Sequence, residues 1–466
     1  MESLECQPKE AQVSNSTPRR ESVVTAKFQS GVGRGRMAFS TDKKSSTPRS
    51  PPTFPVIGNL HQLGRYPHRS LCFLSHRYGP LMLLHFGCVP VLVVSSADAA
   101  QDILKTHDRL HYDGRDVALA PYGEYWRQKK SVCVLHLLSN KMVRSFQDVR
   151  KEEIRIVMEK IRKSSSSSRI NLTKLVAGLT DDVRCRVAFG NKYGGDTDFM
   201  ELTARFEKLM GSFSVGTFEP WLAWIDWISG LDAEVENTKN DFDEFLERVV
   251  QDHTDGSGDK NDFVHVLLAI QRERSIGFEI DRISINAIIM NIFVGGTNTS
   301  FAVMEWAMTE LLRHPECLNI LQKEVRGICK GKSNVFEEKI QDMKYLKAVI
   351  KETMRLHPPV PLLVPHESTH DVRLRDYYIP TGTHAIINAW AIEREAATWG
   401  PDAELFRPER HLDSLLTSGV KALNTIINVH DTCLRSRDRY DPPLKDLQKK
   451  NQEQEKGDPN SLIANL

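Results

Sequence analysis

Three short stretches hold residue types able to do chemistry. The first is Gly295-Gly296-Thr-Asn-Thr299-Ser300. Two adjacent glycines inside a helix cost about 2 kcal/mol of helix propensity against alanine. That cost is tolerated where something flat must approach the backbone. Thr299 follows one turn later and could place a hydroxyl at the same spot. A helix–helix packing notch accounts for the glycines equally well. The second stretch is Glu352-Thr-Met-Arg355, whose opposite charges at i and i+3 share one helix face. Taken alone it reads as a surface ion pair of small worth. The third, Phe406-Arg-Pro-Glu-Arg410, reads alone as an ordinary polar loop.

The elements that must position these stretches are mostly helical. Apolar periodicity predicts helices over roughly 123–135, 139–163, 173–188, 197–212, 233–253, 262–273, 315–329 and 343–356. The longest helix runs from about Asp281 to Arg313, and its first half is apolar nearly all round, so it should be buried. Earlier, Pro67 to Tyr78 suits a short helix. Leu81–Phe86 and Val89–Val94 form a hairpin across Gly87-Cys88, and Ser96 caps a helix from Ala97 to Thr106. After Pro358, Pro359, Pro361 and Pro365 the chain is extended, with short strands within 371–388. Residues 1–50, rich in Ser, Lys and Arg, and the polar tail after Pro442-Pro443 have little to bury and should be disordered.

Composition excludes several classes. The 466 residues carry 62 basic and 61 acidic side chains, a net charge of +1. No global field points to nucleic acid, so no nucleic-acid partner is expected. Eight cysteines are scattered without a C-x-x-C pair or a close cluster with His, so neither structural zinc nor a disulfide framework is expected. No run of about 18 uninterrupted apolar residues predicts a membrane span. Asn15, Asn171 and Asn298 begin glycosylation-type triplets, which are read as chance matches.

Order and spacing give the three stretches a joint meaning. G-G-x-N-T-S in a long helix, then E-x-x-R, then F-R-P-E-R resembles the cytochrome P450 family of heme-thiolate monooxygenases, especially its plant microsomal members. Pro51 to Gly58 resembles the family's proline-rich hinge, Trp126 to Lys130 its W-R-x-x-K, and Leu356-His-Pro-Pro359 its continuation after E-x-x-R. The resemblance covers roughly residues 51–415. It implies a mainly α fold with a small β subdomain, a heme cofactor, a lipophilic small-molecule substrate and electrons from an NADPH-cytochrome reductase. By the same resemblance, Glu352, Arg355 and Arg410 form a buried structural triad. Trp126, Lys130 and His366 face heme propionates, and Gly295 and Gly296 let the long helix lie over the heme. Thr299 delivers protons to bound dioxygen, and Val360 to Val364 line a substrate pocket. The family sits at the endoplasmic reticulum membrane; with no anchor read in this sequence, a cytoplasmic or peripheral place is expected.

The sequence departs from the family where the iron is held. The family's F-x-x-G-x-R-x-C-x-G loop, whose thiolate binds iron and favours O–O cleavage, does not occur. After His411-Leu-Asp-Ser414 the resemblance stops, which makes the expected fold C-terminally incomplete and residues 416–466 a divergent tail. Cys433, 23 residues past Arg410, is the one cysteine near the usual spacing, without the Phe, Gly and Arg that should precede it. The acidic residue before the threonine is Asn298, an amide that cannot relay protons as a carboxylate can. Only sixteen residues separate Arg109 from Trp126, short for the family's loop over the substrate. A catalytically silent relative is therefore expected. An active heme monooxygenase using Cys433, and a heme-free binding or dimerising module, are the alternatives.

Overall fold

The computed structural model describes residues 47–412, except 107–122, 165–169, 193–196, 211, 213, 255–261, 274–277, 279, 331–334, 336 and 369. Residues 1–46, most of the loop between Arg109 and Trp126, and 413–466 with Cys433 lie outside the described residues; residues 47–50 of the tail expected to be disordered are described, and Arg49 bridges to Met82.

The proline-rich lead-in is tied down by one side chain. Asn59 is fully buried; its amide donates to Pro52 O at 3.2 Å and its Oδ1 accepts from His85 N at 2.8 Å. Gly58 precedes it at φ +59, and a Cβ there would come within 2.3 Å of His85 O. Helix α1 (Pro67–Tyr78) follows, with proline in its first turn. The hairpin β1 (Leu81–Phe86) and β2 (Val89–Val94) turns at Gly87 in the left-handed region, with Leu81 opposite Val94. Helix α2 (Ala97–Thr106) comes next. The Ser96 carbonyl accepts the first helical bond, from Ala100 N, but its hydroxyl has no hydrogen-bond partner, so the side-chain cap expected there is not formed.

The helical body contains α3 (Glu124–Val132), α4 (Asn140–Ser145), α5 (Gln147–Ser164), α6 (Leu172–Phe189) and α7 (Thr197–Met210). Two short helices, α8 (Val215–Phe218) and α9 (Trp224–Ile228), lead to α10 (Leu231–Thr254) and α11 (Phe263–Glu273). The helix expected over 139–163 is two helices. Phe146 leaves helical geometry at φ −88, ψ 12, and its ring packs edge-on against Phe263 at 5.6 Å. Helix α6 starts at Asn171, whose Oδ1 accepts from Lys174 N at 3.0 Å, so that asparagine serves as an N-cap.

The long helix is α12 (Arg282–Arg313), capped by Asp281. It packs against α6 and α11, then against α13 (Pro315–Cys329) and, past the four-residue α14 (Glu337–Ile340), α15 (Lys344–Leu356). Its first half is buried at Ile285, Ile288, Ile289 and Phe293, in a core shared with Phe189, Phe242, Val249 and Leu267. Of the described helices it is the one long and apolar enough to cross a membrane, and here it is the central packing element.

Strands β3 (His366–Glu367), β4 (Val372–Leu374), β5 (Tyr377–Ile379) and β6 (His384–Ile387) follow the prolines. β6 lies parallel to β2 and antiparallel to β3, giving the order β1–β2–β6–β3; β4 and β5 form a separate hairpin. Short helices α16 (Ala389–Ile392) and α17 (Ala396–Trp399) and a 3-10 turn at Pro408–His411 end the described chain. The fold is predominantly helical with a small sheet region, as expected from the sequence.

Candidate functional site

The E-x-x-R residues sit on the inward face of α15. Tyr345, Ala348, Val349, Glu352, Thr353, Arg355 and Leu356 are all buried, which is helical spacing for a core face. Glu352, Arg355 and Arg410 are 0% exposed, the burial that the family resemblance implies and that the i, i+3 spacing by itself does not. Arg355 donates through Nε and Nη2 to the two Glu352 oxygens, both at 2.8 Å. Arg410 Nε reaches Glu352 Oε1 at 2.9 Å, and His411 Nε2 lies 2.9 Å from Oε2. Arg407 N adds a fifth contact at 2.9 Å. The remaining arginine hydrogens meet carbonyls: Glu393 O and Ala403 O for Arg355, Trp399 O and Asp402 O for Arg410.

This geometry makes the cluster tolerable. A buried ion is stable only when paired and fully hydrogen-bonded. Burial alone would raise the Glu352 carboxyl, but the hydrogen bonds from Arg355 and His411, with the Arg355 charge, outweigh it and hold the group down at about 2. The F-R-P-E-R segment is likewise more than a polar loop. Phe406 packs with Leu311, Val349 and Leu356, and Pro408 and Arg410 are buried. One neighbour is less well provided for. Glu393 is 0% exposed and neither carboxyl oxygen has a partner. Burial pushes its carboxyl well above the ordinary range, against the pull of Arg355.

The glycine motif is placed differently from expectation. The first half of α12 is buried, but Gly295, Gly296 and Asn298 are exposed and Thr299 is half-buried. A Cβ built on either glycine meets no heavy atom within 4 Å, so the glycines are not a packing notch among the described residues. They leave a bare backbone face in mid-helix because they have no side chain to bury. Thr299 donates its hydroxyl proton to Gly295 O at 2.6 Å. Its oxygen lone pairs remain available as acceptors; giving a proton outward requires the hydroxyl to leave that carbonyl.

Trp126 and Lys130 both lie on α3, and the buried Lys130 ammonium stands 4.2 Å from the Trp126 ring centroid. His366 is on β3, opposite Ala385. In the proline-bounded stretch, Leu362 packs on the sheet, Leu363 takes a left-handed φ of 51 and Val364 is exposed.

These residues fit one side of a heme. The open Gly295-Gly296 backbone could receive a flat macrocycle, and Lys130 is a cation suited to a carboxylate. Cys433, the cysteine that the family spacing offers to the iron, lies outside the described residues.

The sequence model described as "Cytochrome P450" matches residues 48–422, most of the chain. The chain belongs to the cytochrome P450 family. Cytochrome P450 71A22 of Arabidopsis thaliana is 70% identical over 385 residues, covering 80% of this chain and 78% of that one. Cytochrome P450 71A26 of the same plant is 69% identical over 385 residues, with the same coverage of both chains. The Arabidopsis thaliana protein named indoleacetaldoxime dehydratase is 49% identical over 409 residues, covering 84% of this chain and 82% of that one. The chain is thus similar to plant cytochromes P450 of the 71A type. Heme is the cofactor that membership implies, and Cys433 lies beyond the matched residues.

Proposed function

We propose that this member of the heme-dependent monooxygenase family is catalytically silent: it keeps the scaffold that carries the reaction without the segment that holds the iron. The observation that carries the reading is the sequence after Arg410. It contains one cysteine, Cys433, and no F-x-x-G-x-R-x-C-x-G loop. The family match ending at residue 422 supports the same reading. Heme, where the family binds it, supplies dioxygen activation through its thiolate-bound iron. The contributions of this chain's own residues are more limited. Glu352, Arg355 and Arg410 fix α15 against the segment Ala403–His411. Gly295 and Gly296 present open backbone, and Thr299 holds a proton at Gly295 O. Asn298 offers an amide where proton relay calls for a carboxylate.

A second reading is favoured by the same retained residues. An active heme protein ligated by Cys433 would take electrons from an NADPH-fed reductase and oxidise a lipophilic small molecule. Heme reconstitution followed by incubation with NADPH and a plant reductase decides between them. The silent reading expects heme uptake no better than nonspecific and no substrate-dependent NADPH oxidation. One heme per chain with turnover would establish the second reading.

A further inference from the structure

The C-terminal end of α10 and the start of α11 bring together two histidines and an aspartate that the reading above does not use. His253 and Asp262 are 3% and 1% exposed, and the His265 side chain is 24% exposed. His253 Nε2 lies 3.1 Å from Asp262 Oδ2, and His265 Nδ1 lies 3.2 Å from the same oxygen. The three ligand atoms all fall within 4.8 Å of one another.

Proton accounting makes this arrangement unusual. His253 Nδ1 is 2.6 Å from Val249 O. A carbonyl only accepts, so Nδ1 carries a proton, and in the neutral ring Nε2 is then a lone pair. That lone pair faces a carboxylate oxygen, also a lone-pair atom. Either a second proton or a cation must lie between them. An Nδ1–H bond to a backbone carbonyl is also the outer contact by which proteins orient a metal-ligating imidazole. Asp262 is fixed in the same way, since its Oδ1 accepts from His265 N at 2.8 Å.

We propose that His253 Nε2, Asp262 Oδ2 and His265 Nδ1 form a binding site for a divalent transition cation of the zinc class, clipping α10 to α11. Bonds of about 2.1 Å in a tetrahedral site set neighbouring ligand atoms about 3.4 Å apart. The two distances to Asp262 Oδ2 are within a few tenths of an ångström of that edge. Two imidazoles and one carboxylate form a nitrogen–oxygen set suited to zinc. The fourth position falls to water, entering beside His265, the one member partly open to solvent. The clip lies against the main core, where Val249, Val250, Phe263 and Val264 pack under α12.

The test uses the full chain, stripped with a chelator and titrated with Zn²⁺ and with Co²⁺ as a spectroscopic probe. The site predicts one tightly bound equivalent of Zn²⁺ and visible Co²⁺ absorption of tetrahedral type. His265→Ala and Asp262→Asn should each weaken that equivalent by at least about 100-fold. His265 is partly exposed, so its variant should keep the wild-type circular dichroism and decides the matter if Asp262→Asn does not fold. Absence of a stoichiometric equivalent in the wild-type chain, or equal binding by a folded His265→Ala variant, would overturn the proposal in favour of a protonated His253–Asp262 ion pair.

Discussion

Replacing Glu352 with glutamine probes a charged cluster whose Glu352, Arg355 and Arg410 are all 0% exposed. The change keeps the shape of the side chain and removes its charge. Arg355 and Arg410, both 0% exposed, would then face an amide, and Arg355 Nε, Arg355 Nη2, Arg410 Nε, His411 Nε2 and Arg407 N would lose a charged acceptor. Breaking a buried pair from one side costs about 3–5 kcal/mol. The same contacts hold the Glu352 carboxyl down at about 2, a shift on the order of 3 kcal/mol in favour of its charged form. That is a large share of a total stability on the order of 10 kcal/mol. Because the folded value is depressed, this contribution is present above about pH 4.5 and is lost as pH falls toward 2. Urea unfolding followed by circular dichroism at pH 7 and pH 3 is the assay. Glu352→Gln should lose about 3–5 kcal/mol at pH 7 and distinctly less at pH 3. A loss below about 1 kcal/mol at pH 7, the size of a surface pair, would refute the argument.

Three further perturbations follow from the same geometry. Glu393→Met should stabilise the chain at pH 7 by about 1–3 kcal/mol, because it removes two buried oxygens without partners. Its folded carboxyl is raised, so the wild-type chain keeps its stability below about pH 4.5 and loses it as pH rises above that; unfolding at pH 4 and pH 7 should show the variant's advantage only at pH 7. Gly58→Ala should destabilise by about 1–3 kcal/mol, since φ is +59 and the new Cβ would meet His85 O at 2.3 Å. A thermal melt matching wild type would contradict the positioning of that turn. Asn171→Ala removes the α6 cap and should cost about 1 kcal/mol, with Asn171→Asp, which restores an acceptor, measured beside it in urea.

Much of this fold could be read from the residues alone, because most of its signals are local. The β1–β2 hairpin and helices α11 to α13 fall within about a residue of their predicted limits. Apolar periodicity and turn residues fix such boundaries without help from distant chain. What escaped depended on long-range contact. Phe146 ends α4 because its ring meets Phe263, over a hundred residues away in sequence. By spacing alone the Glu352 pair looks like surface; its burial was legible only through the family resemblance, because the return of residues 403–411 is what buries it. The glycine motif was expected within a buried helix; burial covers Ile285 to Phe293 and stops before Gly295, where small and polar residues leave nothing to pack. The His253, Asp262 and His265 trio contains no cysteine and no close His–Cys spacing to mark it in the sequence. Its sequence signal, histidine nine residues before aspartate and histidine three after, gains meaning only when α10 and α11 meet. Glu393 gives no sequence warning at all, since nothing local shows that α16 ends inside the arginine cluster.

We propose above that this chain keeps the scaffold and lacks the iron-binding thiolate. The most direct test is a reduced, carbon monoxide-bound difference spectrum of the purified full chain supplied with heme. A silent chain should give no Soret band at about 450 nm, the signature of thiolate-bound heme iron. A clear band there, abolished by Cys433→Ala, would contradict it and make Cys433 the axial ligand.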